Sequence, residues 1–190
     1  MKILEITRSK IRREIFNLYF ANPERKFYLR ELERILNFPV ANIRRELVKL
    51  EKIGLFQSEK KGNLKFYFLN KSYPLFYEIK SIINKTSGIP SLLKDTLKNL
   101  KNIKVAFIYG SFAKGEEKST SDIDLFIIGN PDETELIRNL DPIEKKIQRE
   151  INYTIYSKKS FKMKKQEKDP FILDIIKSPK IFLIGDENEL

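Results

Sequence analysis

Apolar residues recur at helical spacing early in the chain and gather into continuous runs later, so two kinds of structure are expected. Ser9 can cap a helix that runs to about Ala21, with Ile11, Ile15 and Leu18 on one face. Arg12, Arg13 and Asn17 lie off that face, and Asn22-Pro23 ends the helix. After Lys26-Phe27-Tyr28, the spacing of Leu29, Leu32 and Leu36 predicts a second helix, and Asn37-Phe38-Pro39 a tight turn. A third helix runs from about Val40 to Ile53, with Val40, Ile43, Leu47 and Leu50 as its buried stripe and Gly54 at its end. Two strand-like runs, Leu55 to Glu59 and Leu64 to Leu69, flank Lys60-Lys61-Gly62-Asn63. That pattern predicts a hairpin with a basic tip.

The stretch 73–101 reads as two helices. Pro74 starts one carrying Leu75, Ile79 and Ile82; Thr86 to Pro90 breaks it; Ser91 caps another with Leu93, Leu97 and Leu100. These stripes predict a linker that packs, or a dimer interface. Val105 to Tyr109 then reads as a buried strand, and Leu125 to Ile128 as another. Pro131 opens a helical region to about Arg149 with the stripe Leu136, Leu140, Ile143 and Ile147, and Pro142 is expected to kink or split it. Ile151 to Tyr156 is the third strand of this region. Helical pieces follow around Phe161 and from Asp169 to Ile176, and Lys180 to Ile184 closes it as a strand.

Candidate chemistry lies between the first two of these strands, in Gly110 to Gly129. Gly110 and Gly115 allow a sharp turn after the strand. Ten residues separate Ser111 from Asp122, and only Ile123 separates Asp122 from Asp124. Side chains alternate along a strand, so the two carboxylates share a face and repel each other unless a cation lies between them. Hard oxygen donors at this spacing suit Mg²⁺, which also accepts phosphate oxygens from a substrate.

Gly110-Ser111, ten residues, then Asp122-Ile123-Asp124 resembles the minimal signature of the polymerase-beta-type nucleotidyltransferase superfamily. The resemblance implies that Gly110 and Ser111 open a short helix and hold a nucleoside triphosphate. It implies that Asp122 and Asp124 bind Mg²⁺, with a third carboxylate from a later strand. Free N–H groups at a helix start favour an anion by about 0.3–1 kcal/mol. A paired-metal site can hold both the attacking and the leaving oxygen of a phosphoryl transfer. The sequence departs from the pattern at the third acid. Asn152 stands where it is expected, and Glu150 shares its face at the strand entry. The departure weighs against turnover and leaves nucleotide binding.

The early helices and basic hairpin look like a winged helix-turn-helix, and the run from Tyr28 to Phe56 resembles the core of small prokaryotic repressors. The resemblance makes the third helix the recognition helix. Its face away from the stripe carries Ala41, Asn42, Arg45, Lys49 and Lys52, with Arg44 at the edge. Arg and Asn read base edges in a major groove and Lys meets phosphate. Lys60, Lys61 and Lys65 would set the wing on the DNA backbone. Charge agrees with this assignment. Residues 1–85 hold 19 basic and 9 acidic side chains, whereas 86–190 hold 18 and 17. A basic half beside a near-neutral half favours a polyanion partner for the first. Lys158, Lys159, Lys162, Lys164, Lys165 and Lys168 form a separate lysine-rich surface, either a solvated helix face or a further anion contact.

Composition narrows the chemistry. The chain has neither cysteine nor histidine, which excludes disulfides, thiolate chemistry, the usual zinc sites and any Ser-His-Asp triad. No apolar run reaches the roughly 18 residues of a membrane span and no signal peptide is evident, so a soluble cytoplasmic protein is expected. The expected fold class is α+β: a winged helix-turn-helix over 1–72, a helical linker over 73–101, and a nucleotidyltransferase α/β domain with a small mixed sheet over 102–190. Two functions are consistent with it. One is a DNA-binding transcriptional regulator whose second domain binds Mg²⁺-NTP. The other is an active enzyme moving an NMP group to a hydroxyl on a partner protein or other acceptor. A homodimer is expected by analogy with repressors that read two half-sites.

Overall fold

A computed structural model describes residues 9–116 and 121–190, so the first eight residues and 117–120 of the Gly110–Gly129 stretch lie outside the described residues. The chain divides into two compact units. One holds the residues up to Ile89 together with Lys145–Gln148, and the other holds Pro90–Glu144 and Arg149–Leu190.

The first unit opens with α1 (Lys10–Ala21), where the Ser9 hydroxyl accepts from the Arg12 N–H at 3.3 Å. The second half of α1 is enclosed on every side, from Ile15 to Ala21. Asn17 is therefore buried, against the expectation from helical spacing. Its amide oxygen accepts from the Ser87 hydroxyl at 2.8 Å, which supplies the partner that burial demands. Strand β1 (Phe27–Tyr28) leads into α2 (Leu29–Leu36), which Asn37 ends in the left-handed conformation. Helix α3 (Val40–Lys52) buries Ile43, Leu47 and Leu50, as the stripe predicts. Strands β2 (Phe56–Lys61) and β3 (Leu64–Leu69) complete an antiparallel sheet in the order β1-β3-β2.

The hairpin differs from the expected one. Lys60 pairs with Lys65 and Lys61 with Leu64, so both lysines belong to β2 and only Gly62-Asn63 turns. Gly62, at φ 59°, makes the two-residue turn possible. Aromatic rings fill the centre: Tyr19 meets Phe27 and Phe56 edge-on, and its hydroxyl donates to the Tyr67 carbonyl at 3.1 Å. The next helix, α4 (Phe76–Thr86), buries Phe76, Ile79 and Ile83. The expected stripe of Leu75, Ile79 and Ile82 is thus displaced. Leu75 is exposed and lies before the helix, because the larger Phe76 ring takes the inward position.

Helix α5 (Ile89–Leu97), which enters the second unit at Pro90, starts before Ser91 rather than being capped by it. Strand β4 (Ile103–Tyr109), α6 (Gly110–Lys114) and β5 (Ile123–Gly129) follow. Helix α7 (Glu133–Ile147) buries its predicted stripe and runs unbroken through Pro142, so the proline does not split it. Then come β6 (Ile151–Tyr156), α8 (Lys158–Gln166), α9 (Pro170–Lys177) and β7 (Ile181–Ile184). The mixed sheet has the order β6-β5-β4-β7, with β5 and β6 parallel and β4 antiparallel to both its neighbours. One face packs Val105, Phe107, Phe126 and Ile128 against Phe161, Ile172 and Ile175. The alternate residues Ala106, Ile108, Leu125 and Ile127 are equally buried. Burial on both faces explains why these strands read as continuous apolar runs.

Candidate active site

The site is built where β4 ends and β5 begins. Tyr109 lies opposite Asp124 in the antiparallel pair, and Asn152 lies opposite Asp124 in the parallel pair. Asp124 is therefore the middle of three neighbouring positions on one sheet face. Asp122 stands one residue before β5, two positions from Asp124, and Asn152 Nδ2 donates to Asp122 Oδ2 at 2.9 Å. Gly110, at φ 69°, makes the turn into α6, and a Cβ built there would lie 2.3 Å from Asp124 Oδ2. The glycine backbone and the carboxylate are in direct contact, so both the left-handed conformation and the space require glycine.

The electrostatics follow from this packing. Burial raises the Asp124 carboxyl above its ordinary value, the Asp122 charge raises it further, and the Arg149 guanidinium partly opposes both. Burial likewise raises the Tyr109 hydroxyl, against a hydrogen bond with Thr154 that lowers it. Two like charges held this close are what a divalent cation would relieve. The donor set is limited, however: among the described residues no group of three or more acidic or histidine side chains is placed to hold a metal. Glu150 is exposed and precedes β6, and its main-chain carbonyl accepts from the Ile123 N–H at 2.9 Å. The residues fit a cation held by two carboxylates together with a ligand that brings its own anionic oxygens.

Of the predicted site residues, Gly110, Asp122, Asp124 and Asn152 come together, and Ser111 is the second residue of α6. Arg149 was not predicted. It lies in a charged stretch, Glu144 to Glu150, whose pattern reads as solvated. In the fold it is only 6% exposed, its Nε donates to the Ser121 carbonyl at 2.8 Å, and its Nη2 reaches the Ser121 and Asp122 carbonyls. Tyr109 and Thr154 were also missed, because an apolar strand pattern gives no sign of which residue ends beside a carboxylate.

On α3, Ala41, Arg44, Arg45, Lys49 and Lys52 are exposed and Asn42 is half-buried. Lys49 is not free: its ammonium is 3.1 Å from Glu46, a buried carboxylate that Arg12 also grips at 2.8 and 2.9 Å. Lys65 pairs with Glu51 at 3.1 Å. Arg44, Arg45, Lys52, Lys60 and Lys61 have no ion-pair partner among the described residues. In the lysine-rich helix α8, Lys164 pairs with Asp169 at 2.9 Å and Lys165 donates to the Leu190 carbonyl at 2.5 Å.

Residues 92–188 match the family profile described as Polymerase beta, Nucleotidyltransferase. The chain belongs to that family. No curated protein matches it. Three solved structures are distantly similar. A toxin–antitoxin with AMP-PNP is 12% identical over 53% of this chain and 77% of that one, at TM-score 0.39. A mutant MntA-HpeT toxin–antitoxin is 10% identical over 53% and 76%, also at 0.39. A nucleotidyltransferase-like protein from Sulfolobus solfataricus is 17% identical over 49% and 73%, at 0.27. Among the described residues, no helix is long and apolar enough to cross a membrane.

Proposed function

We propose that the second unit binds a nucleoside triphosphate with Mg²⁺ and turns it over slowly, and that the first is a winged helix-turn-helix that reads duplex DNA. The protein is then a DNA-binding regulator with a nucleotide-responsive unit. The observation that carries the nucleotide reading is the Asp122–Asp124 pair against the Gly110 turn, with a neutral Asn152 in the register of the third acid. Asp122 and Asp124 would hold the metal, and Gly110 and Ser111 would receive phosphate oxygens. When bound, Mg²⁺ supplies positive charge that offsets the charge on the phosphates. Asn152 orients the Asp122 carboxylate through its amide N–H. An amide cannot accept a proton from an attacking hydroxyl at pH 7, so the chain lacks a base at that position.

The DNA reading is supported by the five uncompensated cations Arg44, Arg45, Lys52, Lys60 and Lys61 on α3 and β2. Asn42, Arg44 and Arg45 would meet base edges, and Lys49, Lys52, Lys60, Lys61 and Lys65 the phosphates. A homodimer would present two such surfaces to two half-sites. The deciding experiment is a calorimetric isotherm for each NTP with and without Mg²⁺, followed by a pyrophosphate assay. Binding that needs Mg²⁺ and vanishes in the triple variant Ser111→Ala, Asp122→Ala, Asp124→Ala supports the nucleotide reading. No binding by the parent overturns it, and rapid pyrophosphate release makes the protein an active nucleotidyltransferase instead.

A further inference from the structure

We propose that Arg149 is the positioning residue of the aspartate pair, a fixed cation that clamps the main chain at Ser121–Asp122 and so holds the segment bearing both carboxylates in place without a metal. The inference rests on the nucleotide reading only for what the site binds; the clamp itself concerns this chain alone.

Three observations converge on this residue. First, an arginine is seldom enclosed unless it is paired, and Arg149 is 6% exposed in a unit whose other charged side chains lie mostly at the surface. Second, its fork reaches main-chain carbonyls at the β5 entry. Nε donates to Ser121 at 2.8 Å, and Nη2 donates to Ser121 and, at 3.4 Å, to Asp122. Those carbonyls belong to residues that lead straight into the Asp122-Ile123-Asp124 segment. Third, the guanidinium lies 5.7 Å from the centre of the Phe112 ring on α6. One side chain thus touches the helix that follows Gly110 and the strand entry that bears the first aspartate.

The turn that delivers it is specific. Gln148 takes a left-handed φ of 55° directly after α7 ends, and β6 begins two residues after Arg149. Glu144 reinforces the junction by accepting from the Ile151 N–H at 2.6 Å. Lysine has one ammonium where this site uses two nitrogens of a planar fork, so it can supply the charge but not the clamp. Two like charges on one strand face otherwise push the segment apart. A cation fixed by the fold offsets part of that repulsion and keeps the pair ready for a divalent ion.

The test is a double-mutant cycle read by thermal unfolding of the second unit, with Mg²⁺-ATP affinity as a second readout. Arg149→Met is expected to lower the Tm by at least about 5 °C. In an Asp122→Asn, Asp124→Asn background the same substitution should cost less than half as much, because no like charges remain to be offset. Arg149→Lys should recover part of the stability loss. Mg²⁺-ATP affinity should fall more than tenfold in Arg149→Met. An Arg149→Met loss that is equal in both backgrounds, unrelieved by lysine, makes Arg149 a packing residue and overturns the proposal. Should Arg149→Met fail to fold, the neutral but polar Arg149→Gln in the two backgrounds gives the same comparison. A parent that binds no nucleotide sinks the nucleotide reading, while the cycle still decides the role of Arg149.

Discussion

Gly110 offers the most direct perturbation of the site. It sits at φ 69°, and an alanine Cβ would fall 2.3 Å from Asp124 Oδ2. The left-handed conformation alone costs an alanine about 1–2 kcal/mol. The clash cannot be absorbed in place, because Asp124 lies between Tyr109 and Asn152 in the sheet register. Its carboxylate must leave a preferred rotamer, at about 0.5–1.5 kcal/mol more. Gly110→Ala should therefore destabilise by about 1.5–3.5 kcal/mol in all, and each kcal/mol lowers the Tm by about 4–8 °C in a unit of this size. The control is Gly115→Ala. Gly115 also has positive φ, 74°, but none of the described residues lies within 4 Å of its Cβ position, so only the conformational cost is expected. The two variants differ in whether Asp124 moves. Calorimetry with Mg²⁺-ATP should show affinity falling more than tenfold in Gly110→Ala and nearly unchanged in Gly115→Ala. Equal Tm losses with nucleotide binding intact in both would refute the claim that Gly110 makes room for the Asp124 carboxylate.

Asn152→Asp should restore the third carboxylate, so that Mg²⁺ raises the Tm more than it does in the parent and pyrophosphate release appears or increases; neither change would show that the third acid lies elsewhere. If Lys49, Lys52, Lys60, Lys61 and Lys65 each meet a phosphate, duplex DNA binding should give a log–log salt slope near −0.9 × 5, or about −4 to −5. Arg45→Ala should weaken that binding more than Lys49→Ala, because Glu46 already neutralises Lys49; a flat salt response removes the DNA reading from α3. Burial pushes the Glu46 carboxyl up, but hydrogen bonds from Lys49 and Arg12 outweigh it and hold the group below its ordinary value. Its contribution to stability is then complete above the unfolded-state value and lost as pH falls through the lower folded-state value. Thermal melts of the parent should show a larger acid loss than melts of Glu46→Gln; coincident pH profiles would argue against it.

Local features of the chain were enough for much of this protein. Period-3.6 stripes mark α1, α3 and α7, continuous apolar runs mark β4 and β5, and two aspartates flanking one residue must share a strand face. Gly110 announces a turn because few other residues tolerate its φ. What the sequence could not show depends on contacts between distant residues. The resemblance put Asn152 at the third-acid position, but that its amide turns to Asp122 depends on how β5 aligns with β6, which no local pattern fixes. Burial of polar groups is likewise a tertiary outcome. Asn17 and Arg149 sit in charged or polar contexts and read as solvated, yet each is enclosed because a partner from elsewhere, Ser87 or the Ser121 carbonyl, satisfies it. Charge shows both cases: Glu46 and Lys49 stand three apart on one helix, a pairing that local spacing allows, whereas only folding brings Glu51 close enough to neutralise Lys65.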